Sequence, residues 1–162
     1  MPLYAGKGAV LSWVSFTNAP GVGTNLSASL VWIKLANPTN LYYPGGFTNL
    51  VDLVGSGYVA PTTGHRILNL TNTTLILAGG NLATPIVSAI TLASNNTVTV
   101  AGPNTNNLKL TFTSSSGAIA GSFIDPVSGR TNSFKGAARQ NGNYGAGEFL
   151  GTNQSGYFLL GQ

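Results

Sequence analysis

The chain has 162 residues, of which 43 % are hydrophobic, only 6 % are charged and none is cysteine. The hydrophobic content excludes a disordered chain, and the lack of thiols excludes disulfides, thiolate catalysis and thiolate metal sites. The net charge of +4 comes from seven scattered Lys and Arg side chains, so we expect no nucleic-acid partner. We also expect no membrane-spanning helix, since no run of about 18 apolar residues occurs.

The first part of the chain predicts three strands separated by turn-rich segments. Residues Ala9 to Phe16 carry apolar side chains on both faces, as in a strand covered on both sides. Leu26 to Ile33 and Phe47 to Val54 follow as further strands. The middle section predicts four short strands, at Ile67–Leu70, Thr74–Leu77, Ile86–Leu92 and Thr97–Val100. No segment shows helical spacing over ten or more residues, so we expect an all-β chain.

The C-terminal stretch from Leu108 to Leu160 predicts five short strands in an up-and-down meander. Apolar and polar residues alternate at its start, which is the period of a half-buried strand. The segment Asp125-Pro126-Val127-Ser128-Gly129 predicts a turn, because Pro presets φ and Gly tolerates a left-handed conformation. Asn141-Gly142 predicts a type I′ hairpin turn with positive φ at both residues. We therefore expect positive φ at Gly129 and at Gly142.

Four short motifs occur twice in the same order, which indicates an internal duplication. The pairs are GAV at residue 8 with GAI at 117, TN at 24 with TN at 131, YPGGF at 43 with YGAGEF at 144, and GSGY at 55 with QSGY at 154. We predict a single all-β domain over residues 1–162, with repeat halves at about 8–58 and 117–160 and a middle section at 65–113. Internally duplicated, antiparallel up-and-down meanders that form a barrel or a strongly curved sheet pair would remove exposed sheet edges.

The side chains available for catalysis are few. The acids are Asp52, Asp125 and Glu148, and His65 is the only histidine. Asp52 and Glu148 hold roughly equivalent repeat positions, which leaves open a glycoside hydrolase with paired carboxylates, although an isolated charge on a strand is usually just solvated. Asp125 is explained by its turn, and no nucleophile elbow accompanies His65. One histidine and three separated acids make a poor metal set, so we predict no enzyme activity, no catalytic residue, no metal and no cofactor.

Aromatic residues are the remaining candidates for binding, because their rings can stack on sugars. Tyr42 and Tyr43 lie beside Pro44-Gly45-Gly46 in a predicted loop, where exposure is favoured. A carbohydrate-binding module that uses these two tyrosines is therefore an alternative function. Trp13 and Trp32 lie in the middle of predicted strands, so we expect both in the hydrophobic core. The other aromatic residues expected there are Phe123, Phe134 and Phe149.

Several stretches resemble a module of large exported proteins of Verrucomicrobia and related bacteria. The most specific are YYPGGFTN at residues 42–49 and GEFLGTNQSG at residues 147–156, and the similarity extends over nearly the whole chain through PLYAGKGAVLSWVSF and RILNLTNTTLILAGGNL. In such relatives the segment resembles the C-terminal half of a longer β-rich region. A Lys usually stands there where Arg139-Gln140 begins the Asn-Gly turn. The resemblance implies export and surface residence, and it carries no activity and no catalytic residues to this chain.

The function we predict is a non-enzymatic extracellular structural or adhesive β module that self-associates. Sparse charge leaves strand edges without the Lys and Glu that normally block pairing between molecules. We expect a homo-oligomer or filament, with a polysaccharide as the other candidate partner. The residues expected at contacts between copies are Leu3, Tyr4, Ala5, Phe158 and Leu160. Met1 followed by Pro2-Leu3-Tyr4 is not a signal peptide, so we expect the signal to be removed or to belong to a longer parent that resides outside the cell or at its surface.

Overall fold

The computed structural model describes residues 1–19 and 23–161. It is 54 % strand and 4 % helix with antiparallel sheets, which confirms the predicted all-β fold. The chain divides into two compact units, residues 1–57 (unit 1) and residues 58–162 (unit 2). The prediction that residues 1–162 form one domain concerns how these units fold together, and it stays a prediction.

Unit 1 is a small antiparallel sheet built around one long central strand. Its strands are β1 (Pro2–Leu3), β2 (Gly8–Ser12), β3 (Ser15–Ala19), β4 (Gly23–Lys34) and β5 (Phe47–Ser56). Strand β4 pairs with β5 along one side and with both β2 and β3 along the other, while β1 pairs with β2. Ser12 lies opposite Leu30 and Ser15 lies opposite Ser27. The register is therefore unbroken, and β2 and β3 are two parts of one strand interrupted at Trp13 and Val14.

Unit 2 is a nearly closed, barrel-like sheet of 8 strands. The strands are β6 (Asn72–Gly79), β7 (Ile86–Leu92), β8 (Val98–Val100), β9 (Lys109–Thr113), β10 (Ala118–Ile124), β11 (Thr131–Arg139), β12 (Tyr144–Leu150) and β13 (Ser155–Leu160). Their order is β8-β7-β6-β13-β12-β11-β10-β9, so β13 closes the meander onto β6. The five predicted C-terminal strands all form, with boundaries close to those expected. The predicted strand at Ile67–Leu70 does not form, since Ile67 and Leu68 are buried in a connecting segment instead.

The hydrophobic core lies inside unit 2. Four of its largest side chains are Phe123, Phe134, Phe149 and Phe158, which confirms the predicted core positions of the first three. Three of these rings lie opposite a glycine on the neighbouring strand, in the pairs Phe134 with Gly121, Phe149 with Gly156 and Phe158 with Gly147. A Cβ added to any of these glycines would collide with the facing ring. The glycines therefore provide the space in which large rings lie flat across the sheet.

The two predicted tight turns differ in outcome. Gly129 has φ +67°, as expected for the turn that begins at Asp125. Gly142 does not have a positive φ, so the predicted type I′ turn is wrong. The chain instead forms a short 3₁₀ turn at Gln140–Gly142, followed by Asn143 in the left-handed region with φ +52°. Asn143 is fixed there because its side-chain Oδ1 accepts a hydrogen bond from the Asn69 N–H at 2.7 Å and its Nδ2 donates to the Asn69 carbonyl at 3.1 Å.

The duplicated motifs occupy corresponding places in the two units. The motifs at residues 8 and 117 stand at the starts of β2 and β10, and those at 24 and 131 at the starts of β4 and β11. The third pair differs in position, because YPGGF leads into β5 whereas YGAGEF makes up most of β12. The fourth pair differs, because GSGY ends β5 whereas QSGY opens β13. The strand that covers the outer edge of β12 thus has no counterpart in unit 1.

The expected core position of Trp13 is wrong. Its side chain is 94 % exposed, because it lies on the face of β2 and β3 opposite to that of Phe16 and Val10. Trp32 is partly buried, and its ring meets Phe47 edge to face at 5.4 Å between centroids. All fully buried hydrophobic residues of the described chain belong to unit 2, so neither tryptophan lies in that core.

Replacing Phe134 with Ala should lower the free energy of unfolding by about 3–5 kcal/mol, the usual cost of removing a large buried aromatic side chain. Trp13→Ala should change it by less than about 0.5 kcal/mol, because an exposed side chain loses little packing. Urea titrations followed by circular dichroism measure both values. A large loss of stability for Trp13→Ala would contradict the exposed position of Trp13.

Candidate interaction surface on unit 1

The two faces of the unit 1 sheet differ in composition. Residues directly opposite each other on neighbouring strands share a face, and neighbours along a strand alternate between faces. The first set, here called the apolar face, comprises Phe16, Leu26, Leu30, Trp32, Val51 and Leu53. The second set, here called the mixed face, comprises Leu11, Trp13, Ser15, Ser27, Ser29, Leu50, Asp52 and Val54. Both faces thus carry apolar side chains, and the mixed face combines them with three serines and Asp52.

The apolar face has no complete covering within unit 1. Among the described residues of this unit, Lys34 is the only side chain that is fully buried, and no hydrophobic one is. Phe16 is 69 % exposed and Leu53 is 38 % exposed. A folded protein normally buries the apolar face of a sheet, because exposed hydrocarbon costs about 25 cal/mol per Å². This face is therefore a candidate interaction surface.

One end of the apolar face is closed by the chain itself. Lys34 lies at that end, and its Nζ donates a hydrogen bond to the Tyr43 carbonyl at 2.8 Å. The same ammonium lies over the Tyr4 ring, 5.8 Å from its centroid. Phe47 meets the Tyr43 ring edge to face at 5.4 Å between centroids. The aromatic residues thus shield the lysine and leave the other end of the face open, around Phe16 and Leu53.

The predicted loop tyrosines are part of this closure. Tyr43 is 36 % exposed and has φ +52°, and Tyr42 is partly buried. Tyr4 and Ala5 form a tight turn with φ near +52° and +53°, and Leu3 pairs with Gly8 in β1 and β2. Tyr4 and Ala5 also line a cavity of about 300 Å³ together with Lys34. These residues hold the end of the sheet in place, and their predicted roles in ligand binding and in contacts between copies stay predictions.

The expectation that the strand around Phe158 to Leu160 offers a free edge is wrong. Phe158 is 0 % exposed and Leu160 is 1 % exposed, both inside the core of unit 2. Their strand β13 is paired with β12 on one side and with β6 on the other. It therefore has no unpaired backbone row to offer to another molecule.

Strand β5 does leave an edge open. In the described chain, β5 pairs only with β4, so the backbone row on its other side has no strand partner. Ten residues long, from Phe47 to Ser56, it carries a single charged side chain, Asp52. Edge strands usually carry Lys, Pro or a bulge that blocks pairing, and this one has none of them. The open edge adjoins the apolar face.

The side chains considered for catalysis are distributed over both units. Asp52 lies on β5 and is the only acidic side chain of unit 1, whereas Glu148 lies on β12 of unit 2, opposite Lys135 and Tyr157. His65 is exposed, and its Nδ1 lies 2.9 Å from the Thr62 hydroxyl. Among the described residues, no group of three or more His, Cys, Asp or Glu could hold a metal ion.

Asp125 acts in its turn as the sequence predicts. Its Oδ1 accepts a hydrogen bond from the Val127 N–H at 2.9 Å, and its Oδ2 accepts one from the Ser128 hydroxyl at 2.6 Å. These bonds favour the ionised carboxylate, so the bond from Ser128 and then the bond from Val127 hold the pKa of Asp125 below its ordinary value. Its carbonyl also accepts the Gly129 N–H at 2.9 Å. The role of Asp125 is structural.

The exposure of Trp13 was not expected from the sequence. The signal was present in β4, where Ser27 and Ser29 alternate with Ala28 and Leu30. That alternation indicates that one face of β4 points towards solvent. If residues 8–19 are taken as one uninterrupted strand paired with β4, Trp13 lies on the same face as Ser27 and Ser29. Residues Ala9 to Phe16 carry apolar side chains on both faces, and this pattern favoured a buried position for Trp13.

No protein-family model, no curated protein and no solved structure matches the chain. The resemblance to a module of exported bacterial proteins therefore stays a sequence-based expectation. Within residues 1–19 and 23–161, no helix has the length and apolar character needed to cross a membrane.

Asp125→Ala should lower the free energy of unfolding by about 1.5–3 kcal/mol at pH 7, since the turn loses hydrogen bonds to a charged acceptor. Because the folded pKa is lowered, the stabilisation is complete above the ordinary carboxyl pKa of 3.8 and is lost as the pH falls through the folded value. The difference between parent and variant should therefore shrink in acid. Urea titrations at pH 7 and near pH 2 measure it. Asp52→Ala is the control, and an equal effect of the two variants would contradict this role of Asp125.

Proposed function

We propose that the chain is a non-enzymatic structural module of an exported protein, and that the apolar face of unit 1 binds the same face of a second copy. The observation that carries this proposal is that unit 1 buries no hydrophobic side chain fully among its described residues. Unit 2 has a buried hydrophobic core, whereas residues 1–57 have none among the described part of that unit. A partner that covers this region would remove exposed apolar surface from water and so stabilise the protein.

The size of the apolar face suits a dimer contact. With a strand spacing of about 4.8 Å and a rise of about 3.4 Å per residue, a sheet three strands wide and ten residues long covers roughly 500 Å². Two such faces together bury roughly 1,000 Å², which is the lower limit for a specific interface. Pairing along the free edge of β5 adds to this area.

The chemistry of the face favours a second copy over an unrelated partner. A flat, uncharged sheet face is complementary to itself, and two sheets pack face to face about 10 Å apart in many β-sandwiches. A two-fold axis brings identical patches together and closes the assembly as a dimer. Lys34, the one charge on this side, already has its ammonium against the Tyr43 carbonyl and the Tyr4 ring. No charge of the apolar face therefore opposes the contact.

Residence outside the cell or at its surface is part of the same proposal. It is supported by the resemblance of YYPGGFTN and GEFLGTNQSG to the exported bacterial module. The absence of a second acid beside Asp52 in unit 1 supports a non-enzymatic role. A module that joins copies through one unit is suited to building or anchoring an extracellular layer.

Leu53→Lys should weaken association at least tenfold, because it places a charge at the open end of the apolar face, where burial without a partner is costly. Leu50→Lys is the matched control, since Leu50 lies on the same strand but on the mixed face and is 74 % exposed. Light scattering and sedimentation equilibrium at increasing concentration give the mass. We expect dimers for the parent and for Leu50→Lys, and monomers for Leu53→Lys over the same range. A monomeric parent at high micromolar concentration, or equal behaviour of the two variants, would overturn the proposal.

A further inference from the structure

We propose that the mixed face of unit 1 binds a hydroxyl-rich saccharide chain, with a sugar ring stacked on Trp13 and hydrogen bonds to Ser15, Ser27, Ser29 and Asp52. These five residues are here called the Trp13 strip. This site is separate from the apolar face, because the two sets of side chains point to opposite sides of the same sheet. It also differs from the loop tyrosines Tyr42 and Tyr43, neither of which lies on the strip.

The strand register determines how the strip is arranged. Ser15 lies opposite Ser27, and Ser29 lies opposite Asp52. Since the register continues through the interruption in the first strand, Trp13 lies across from Ser29. The indole and the carboxylate are therefore two strand spacings apart, about 10 Å. The serine hydroxyls lie between and beside them.

Trp13 is the most unusual residue of the strip. Tryptophan is highly buried on average, yet this side chain is 94 % exposed, at the interruption between β2 and β3. An indole offers a broad apolar surface and one N–H donor. The apolar C–H surface of a sugar ring can stack on the face of the indole. The hydroxyl groups of the sugar can form hydrogen bonds with the polar side chains around it.

The polar members of the strip have bonding capacity to spare. Ser15, Ser27, Ser29 and Asp52 are all exposed. The Asp52 carboxylate makes no hydrogen bond and no ion pair within the described chain, and the Ser12 hydroxyl bonds the backbone carbonyl of Ser29 rather than its side chain. A carboxylate only accepts hydrogen bonds, whereas a serine hydroxyl both donates and accepts. A ligand with many hydroxyl groups satisfies both requirements.

The surface around the strip forms a shallow, open groove. Its volume is about 460 Å³, and it is lined by the five residues of the strip together with Ala28, Leu53 and Val54. This volume lies within the range of small-molecule sites, roughly 300–1,000 Å³. Apolar walls that carry a few converging polar groups are the usual composition of such sites.

Other occupants fit less well. A second copy would bury the serines and the carboxylate without enough hydrogen-bond partners, which is unfavourable. An anionic ligand would be repelled by Asp52. A cationic peptide would need indole and carboxylate around one ammonium, but these groups lie about two strand spacings apart. A chain of neutral sugar rings spans that distance and uses every group of the strip.

The test uses neutral hexasaccharides of β-linked glucose, mannose, xylose, galactose and N-acetylglucosamine. Trp32→Phe leaves Trp13 as the only tryptophan, and the buried Trp32 Nε1 has no hydrogen-bond partner to lose. In this variant, at least one hexasaccharide should produce a saturable change in tryptophan emission. Calorimetry on the parent protein with the same sugar should give the same dissociation constant.

Matched variants then locate the site. Trp13→Ala should weaken binding at least tenfold, and Asp52→Asn about threefold or more. Two controls should bind as the parent does: Tyr157→Ala, which removes a 50 % exposed aromatic side chain of unit 2, and Phe16→Lys, which adds a charge to the apolar face at a residue outside the lining of the groove. Failure of every hexasaccharide to bind would overturn the proposal. Unchanged binding by Trp13→Ala, loss of binding by Tyr42→Ala or Tyr43→Ala instead, or binding of a polylysine peptide in place of sugar would overturn it as well.

Discussion

The need to cover the apolar face of every sheet determines how the two units differ. Unit 2 meets this need by curving its eight strands until the sheet nearly closes, which places its Phe and Leu side chains inside. Glycines opposite Phe134, Phe149 and Phe158 make room for the rings without bending the strands apart. Unit 1 has the same kind of meander but no strand corresponding to β13. Its sheet stays open, and its apolar side chains lack a second layer.

Local signals in the sequence were sufficient for much of unit 2. The alternation of apolar and polar residues predicts the first of the five C-terminal strands, because the period of a strand is fixed by backbone geometry, and turn signals separate the strands that follow. The turn at Asp125 was predictable for the same reason, since its carboxylate bonds to residues two and three positions ahead. In each case the forces that form the element come from within a few residues.

Features that depend on distant residues were not predictable. Asn143 takes the left-handed position expected of Gly142 because its side chain bonds to the backbone of Asn69, 74 residues earlier. Ile67 and Leu68 are buried without joining a strand, and the Ile67 N–H bonds to the Asn96 side chain at 2.7 Å. The exposure of Trp13 follows from its register against β4, and the position of β13 follows from its pairing with β6. Each of these outcomes is decided by a contact that sequence spacing does not reveal.

The alternation along β4 allows one sheet to present two surfaces that do not compete. Leu26 and Leu30 point to the apolar face, and Ser27 and Ser29 between them point to the mixed face. A sugar on the apolar face would find few hydrogen-bond partners, and a protein on the mixed face would leave Asp52 buried and unpaired. The proposed association through the apolar face would leave the Trp13 strip of each copy on the side of its sheet that faces away from the contact. Two linked sites raise the avidity for a polymer beyond the affinity of either one, because the second binding event becomes intramolecular. Self-association and saccharide binding would thus reinforce each other without sharing a residue.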